Sequence, residues 1–156
     1  MLKKSLMIVA LLMAVNAAAS AQANLVELVR SDIRAEAQSI MTAAMQLSND
    51  EAEKFWPVYR EYELERSKWG DQRLAMIKSY AEQYESMTDE TARQLADQWF
   101  KLQDNRLKLW KDFYKKFEKE VSASVAARFI QIENQLNMLM DIQIAQELPL
   151  VIKPEM

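Results

Sequence analysis

Five polar side chains fall where a folded helix would turn them toward apolar neighbours. Arg66, Arg73 and Arg106 project from the aromatic faces of two long periodic stretches, as does Gln103, and Glu133 sits on the apolar face of a third. Such groups cannot be buried cheaply without partners. Two arrangements are open. In one the charges pair internally. Counted at about 1.5 Å per residue from turns near Met87 and Ser122, Glu133 lies roughly 5 Å from the level of Arg66 and about 8 Å from that of Arg106. Glu133 is therefore expected to pair with Arg66, with Arg106 the weaker choice. In the other arrangement arginines and rings line a concave face, and Arg66, Trp69, Arg73, Trp99, Arg106, Trp110, Phe113 and Phe117 are candidate polypeptide-binding residues, because arginine and aromatic side chains favour binding surfaces.

No catalytic set accompanies them. The chain has no histidine and no cysteine, which removes the commonest general base near neutral pH and the commonest transition-metal ligand. Its serines lack an activating base, and no glycine-rich phosphate loop exists. Carboxylate pairs such as Glu61 and Glu65 have the spacing for a metal or for acid–base work. Without a histidine they do not complete a helix-bundle di-iron pattern, and a solvated helix face is the expected reading. The thioethers of Met41, Met45, Met76, Met87, Met138 and Met140 could serve Cu(I). Most fall at helical core spacing, where adaptable packing is the better account. No catalytic residue, metal site or cofactor is expected.

The elements that must position these groups are helices. From 88 to 121, Ala92, Leu95, Trp99, Trp110, Phe113, Phe117 and Val121 fall within roughly 40° of one line at 100° per residue. Asp104, Lys108, Asp112 and Lys116 step along the opposite side. A helix of about 50 Å needs long partners to cover such a stripe. Residues 49–86 supply one, with Phe55, Tyr59, Tyr62, Trp69, Met76, Ile77, Tyr80 and Tyr84 on the buried side. Pro57 predicts a kink there, since the apolar period continues past it; a break, with Pro57 opening a new helix, is the alternative. Residues 24–46 and 125–146 give two further helices, the last apolar on several sides. Ser48 with Glu51 forms a capping-box pattern, Thr88 a second cap, and either Ser122 or Ser124 a third. A nonhelical tail, 148–156, follows. The fold expected is all-α: four helices, two of them long, as antiparallel hairpins.

Composition sets the address. Lys3 and Lys4, an apolar run from 6 to 15, and Ala21-Gln22-Ala23 form a secretory signal pattern, with cleavage expected after Ala23. The run is too short for a membrane span. The remaining 24–156 suits one domain, exported to the periplasm. A net charge of −3 for the whole chain, more negative without the leader, argues against a nucleic-acid partner. One glycine and three prolines in 156 residues leave few turns, which fits a few long helices. A homodimer is expected, because a thin hairpin cannot cover both the aromatic stripe and the fourth helix.

The two junctions Leu47-Ser48-Asn49-Asp50-Glu51 and Met87-Thr88-Asp89-Glu90-Thr91 resemble, in degenerate form, the paired Leu-Thr-x-x-Gln motifs of the Spy/CpxP-like periplasmic proteins. The last position is Glu51 in one and Thr91 in the other. The stretches 55–63 and 126–133 also look like a helical subgroup related to that family. The resemblance implies an all-helical, often dimeric, curved hairpin acting as an ATP-independent chaperone, a stress-signalling accessory or a metal-responsive protein. The metal-responsive branch relies on histidine-containing sites that this chain lacks. The expected partners are unfolded or partly folded envelope proteins; the alternative is the sensor domain of an envelope-stress system, and metal binding is the weakest choice.

Overall fold

A computed structural model of the chain describes residues 36–151. The expected signal peptide, the first half of the expected first helix and the last residues of the tail lie outside them. The chain divides into two compact units, 1–43 and 44–156. In the first, residues 36–43 are helical and belong to α1, which ends at residue 45. The second contains α2 (Asn49–Gln83), a 3-10 turn (Tyr84–Ser86), α3 (Asp89–Glu120) and α4 (Ala123–Glu147). Among the described residues there is no strand, and the all-α expectation holds.

Each junction is closed by local chemistry. Gln46 adopts φ 50°, a left-handed conformation that usually falls to glycine after a helix. Ser48 then caps α2: its hydroxyl accepts from the Glu51 amide while the Glu51 carboxylate accepts from the Ser48 amide at 2.9 Å. That bond, followed by the one from the Ser48 hydroxyl, holds the Glu51 carboxyl below its ordinary value. Thr88 opens α3 in the same reciprocal way, and the Thr91 hydroxyl takes the acceptor role that Glu51 plays in the first box. Ser122, of the two candidate serines, caps α4. α2 runs unbroken through Pro57, so no new helix starts there, and it stops three residues before the expected end, where the 3-10 turn begins.

Side-chain pairs fix the topology of this unit. Passing up α2, the partners on α3 descend: Phe55 with Phe117, Tyr62 with Phe113 and Trp69 with Leu102. The two are antiparallel. α4 turns back along α3, with Phe129 against Phe117 and Asp141 against Arg106. It runs parallel to α2, from Phe129 beside Phe55 to Asp141 beside Arg73. α2 and α3 approach closely, as do α3 and α4, but no Cα of α2 comes within 8 Å of one on α4 among the described residues. Large side chains span that wider gap.

The core is richest near the α3–α4 turn. Phe55 stacks on Phe117 at 4.7 Å, Phe117 meets Phe129 at 4.4 Å, and Tyr62 meets Phe129 edge-on at 4.9 Å. All four of these rings are fully buried. Aromatic pairs of this geometry add about 1 kcal/mol each beyond the burial of their area. Toward the α2–α3 turn, Met76, Ile77, Tyr80 and Tyr84 are only half-buried. α4 ends at Glu147, and beyond it the tail reaches α2, where the Tyr80 hydroxyl donates to the Pro149 carbonyl at 2.7 Å.

Candidate functional site

The polar groups that the sequence singles out converge in two places on the inner faces of α2, α3 and α4. The first is centred on Glu133. Its carboxylate Oε1 accepts from the Tyr62 hydroxyl at 2.5 Å and from the Asn137 amide at 3.0 Å, and that amide also donates to the Glu133 carbonyl. Trp110 Nε1 in turn donates to the Tyr62 hydroxyl at 3.3 Å. The carboxylate thus accepts from α2 and α4, and α3 joins the network through the Tyr62 hydroxyl. Glu133 and Asn137 are each 3% exposed.

The electrostatics follow from that burial. Loss of water pushes the Glu133 carboxyl above its ordinary value, against the Arg66 charge and the hydrogen bonds from Tyr62 and Asn137. Burial, then the Glu133 charge, drives the Tyr62 phenol well above the usual tyrosine range. Burial also opposes the charge on Arg66, but Glu63 and Glu133 outweigh it and raise its value. Arg66 forms its ion pair with Glu63, one turn away on its own helix, at 2.9 Å. The expected Arg66–Glu133 ion pair is therefore corrected. The two charges attract through space, while Tyr62 and Asn137 supply the hydrogen bonds to Glu133. Glu63 is the nearer acid because i,i+3 neighbours meet on one helix face.

The second centre is built on Trp69 and Asp141. Trp69 is buried, and its indole N–H donates to the Leu102 carbonyl of α3 at 2.9 Å. Two guanidinium groups lie over its ring, Arg73 at 5.6 Å and Arg106 at 5.5 Å. Arg106 also lies 5.5 Å from the Trp110 ring. One carboxylate holds both arginines: Asp141 accepts from Arg73 at 2.6 Å and from Arg106 at 3.3 Å. Gln103 accepts a further bond from Arg106. Burial lowers the Arg73 value, with Asp141 opposing and Arg106 adding to the fall. No buried side-chain nitrogen or oxygen among the described residues lacks a partner.

These contacts answer where the candidate binding residues lie. Trp69, Phe113 and Phe117 are core residues, and Arg66, Arg73, Arg106 and Trp110 are half-buried and engaged by the bundle's own groups. Trp99 alone of the eight is exposed, at 49%. The arginine–aromatic face is turned inward in this arrangement, because α4 brings Glu133 and Asp141 against it. Trp99 stays outside because α4 stops near its level. Phe100, edge-on to Trp99 at 5.3 Å, and Leu107, two turns further along α3, are also exposed, at 59% and 49%. Sequence reasoning missed Asp141, Asn137 and Leu102. The signal for Asp141 was its place eight residues after Glu133, on the side of α4 that meets the arginines.

The carboxylates weighed for metal chemistry are engaged singly. Glu61 accepts from Lys116 and Glu65 from Lys68, all on exposed faces. Among the described residues no three acidic side chains gather as a metal site, and no helix is long and apolar enough to cross a membrane. Comparison with family models, with curated proteins and with solved structures returns no match.

Proposed function

We propose that this chain is a non-enzymatic polypeptide-binding protein of the chaperone type, exported to the periplasm, which holds unfolded or partly folded proteins without ATP. The observation that carries the reading is the exposed edge of α3 formed by Trp99, Phe100 and Leu107. Large rings left in water on a helix mark interaction surfaces. Exposed Lys101 and Lys111 flank this edge and suit it to apolar segments that carry acidic groups. The likeness of the two capped junctions to Spy/CpxP-like proteins supports the same function. The purified protein is incubated with a chemically denatured client and light scattering is followed; suppression that falls in a Trp99→Ser/Phe100→Ser variant is expected, and none at stoichiometric excess of the parent overturns the reading.

A second reading is a regulatory accessory that docks on the sensor domain of an envelope-stress system. The inward closure of the arginine–aromatic face favours it, since the narrow edge that remains suits one partner of defined shape. It predicts a single saturable partner in pull-downs from envelope extract, where the chaperone reading predicts many weak ones.

A further inference from the structure

The arginines over Trp69 carry more charge than their neighbours answer. Arg73 and Arg106 share one carboxylate, Asp141, at 2.6 and 3.3 Å. The other bond from these guanidinium groups goes to Gln103, which is neutral. Two cations thus face one anion, with side chains only 15% and 21% exposed. The Glu133 centre has the opposite balance, since Arg66 there answers to both Glu63 and Glu133. Those acids are centred on Arg66, two turns and about 10 Å along α2 from Arg73. The charges acting on Arg73 are Asp141, in its favour, and Arg106, against it. Excess charge held away from water is costly unless it is paired.

The excess is also within reach of a ligand. Nε and Nη1 of Arg73 and Nε of Arg106 make no hydrogen bond among the described residues. No buried side-chain nitrogen there lacks a partner, so these atoms touch solvent. One uncompensated positive charge matches one carboxylate, and bonds between guanidinium and carboxylate groups are among the stronger ones in proteins. The surroundings indicate what carries it. Leu107 follows Arg106 in the chain, and Phe100 lies two turns before Leu107; both are exposed. An apolar edge therefore starts beside the arginine pair and runs about 10 Å toward the start of α3, a length that an extended chain spans in about three residues. We propose that Arg73 and Arg106 form a carboxylate subsite, which takes an acidic side chain or a C-terminal carboxylate lying about three residues from an apolar side chain on the Phe100–Leu107 edge. Asp141, 42% exposed, is the internal competitor that shares the arginines with the incoming group. The ligand's being a polypeptide rests on the client-holding reading; the subsite itself rests on the charge balance around Trp69.

Titration of the purified protein with short peptides, read by its tryptophan fluorescence, tests the subsite. Acetyl-Phe-Leu-Ser-Glu-amide should bind about 10-fold more tightly than the same peptide ending in Gln-amide. A third peptide, ending in Gln with a free carboxylate, separates the two sources. A gain over the Gln-amide peptide supports the subsite with a chain terminus as ligand, and a gain for the Glu peptide alone supports it with a side chain. Arg73→Gln should erase the preference. Asp141→Asn removes the competing charge and should tighten binding of the Glu peptide by about another 5-fold, whereas loss of a purely structural carboxylate would weaken it. That variant also decides the matter if Arg73→Gln misfolds by circular dichroism. Equal affinity for all three peptides, no binding, a preference that survives Arg73→Gln, or weaker binding to Asp141→Asn overturns the subsite. Client suppression without any peptide preference sinks the subsite and spares the chaperone reading; a preference lost in Arg73→Gln, without client suppression, does the reverse.

Discussion

Tyr62 of α2 donates its phenolic hydrogen to Glu133 of α4 across 2.5 Å, at a level where the two backbones are too far apart to touch. The bond fixes the relative position of two helices that share no backbone contact. It also leaves the carboxylate with a pH dependence of known sign. The folded protein holds the Glu133 proton more tightly than the unfolded chain does, whose value is near 4.5. Stability from this group is therefore fully present below that value and is lost as pH rises through the raised folded value. Glu133→Gln keeps an acceptor for Tyr62 and removes the charge. Its thermal stability relative to the parent should increase as pH is raised from 4.5 toward neutral, by about 1.4 kcal/mol for each pH unit separating the two values. A difference independent of pH would show that the carboxyl is not perturbed. Glu133→Leu should lose about 1–3 kcal/mol, since the Tyr62 hydroxyl and the Asn137 amide are left buried without their acceptor.

Asp141 holds two arginines that flank one indole. Asp141→Ala should lower stability in urea by about 1–2 kcal/mol, less than a sealed ion pair would cost because the carboxylate is 42% exposed and water screens it. Tryptophan fluorescence should change as the guanidinium groups over Trp69 are released. A variant as stable as the parent, with the same spectrum, would mean that the cation–π contacts hold Arg73 and Arg106 unaided.

Gln46 is strained where glycine would not be. A side chain in the left-handed region costs about 1–2 kcal/mol, and glycine returns part of that gain through its looser unfolded state. Gln46→Gly should therefore stabilise the protein by about 0.5–1 kcal/mol in urea unfolding. Destabilisation instead would show that the Gln46 side chain makes a contact worth more than its strain.

The exposed edge of α3 gives the separable functional test. Trp99→Ser, Phe100→Ser and Leu107→Ser should each leave stability within about 0.5 kcal/mol, as surface changes do, while the triple variant loses suppression of client aggregation. Loss of folding, read by circular dichroism, would instead place these side chains in the core.

The caps were legible because their chemistry is local. Ser48 and Thr88 need only the three residues that follow, and Thr91 closes its box with a hydroxyl where a longer side chain is usual. Phe55, Tyr62, Phe113 and Phe117 were legible because a period of 3.6 residues finds an inward face whatever covers it. Trp99 was not, although it shares an angular line with Phe117: the wheel gives direction around a helix and says nothing of where the covering helix ends. Glu133 shows a related limit. Its height beside Arg66 could be counted from the turns, but its partners could not. Arg66 had an acid one turn away on its own strand of sequence in Glu63, and Asp141 met the other two arginines across the bundle.

The retreat of α4 before the α2–α3 turn has a mechanical consequence. One end of this unit is gripped by stacked rings from three helices, and the other is a bare two-helix tip tied by the Tyr80–Pro149 bond. Opening should be graded along its length, with amide hydrogens near Tyr84 and Thr91 trading with solvent long before those near Phe117 and Phe129. A partner approaching the Trp99 edge would meet the pliable end of this unit, which can yield to it while the aromatic end stays shut.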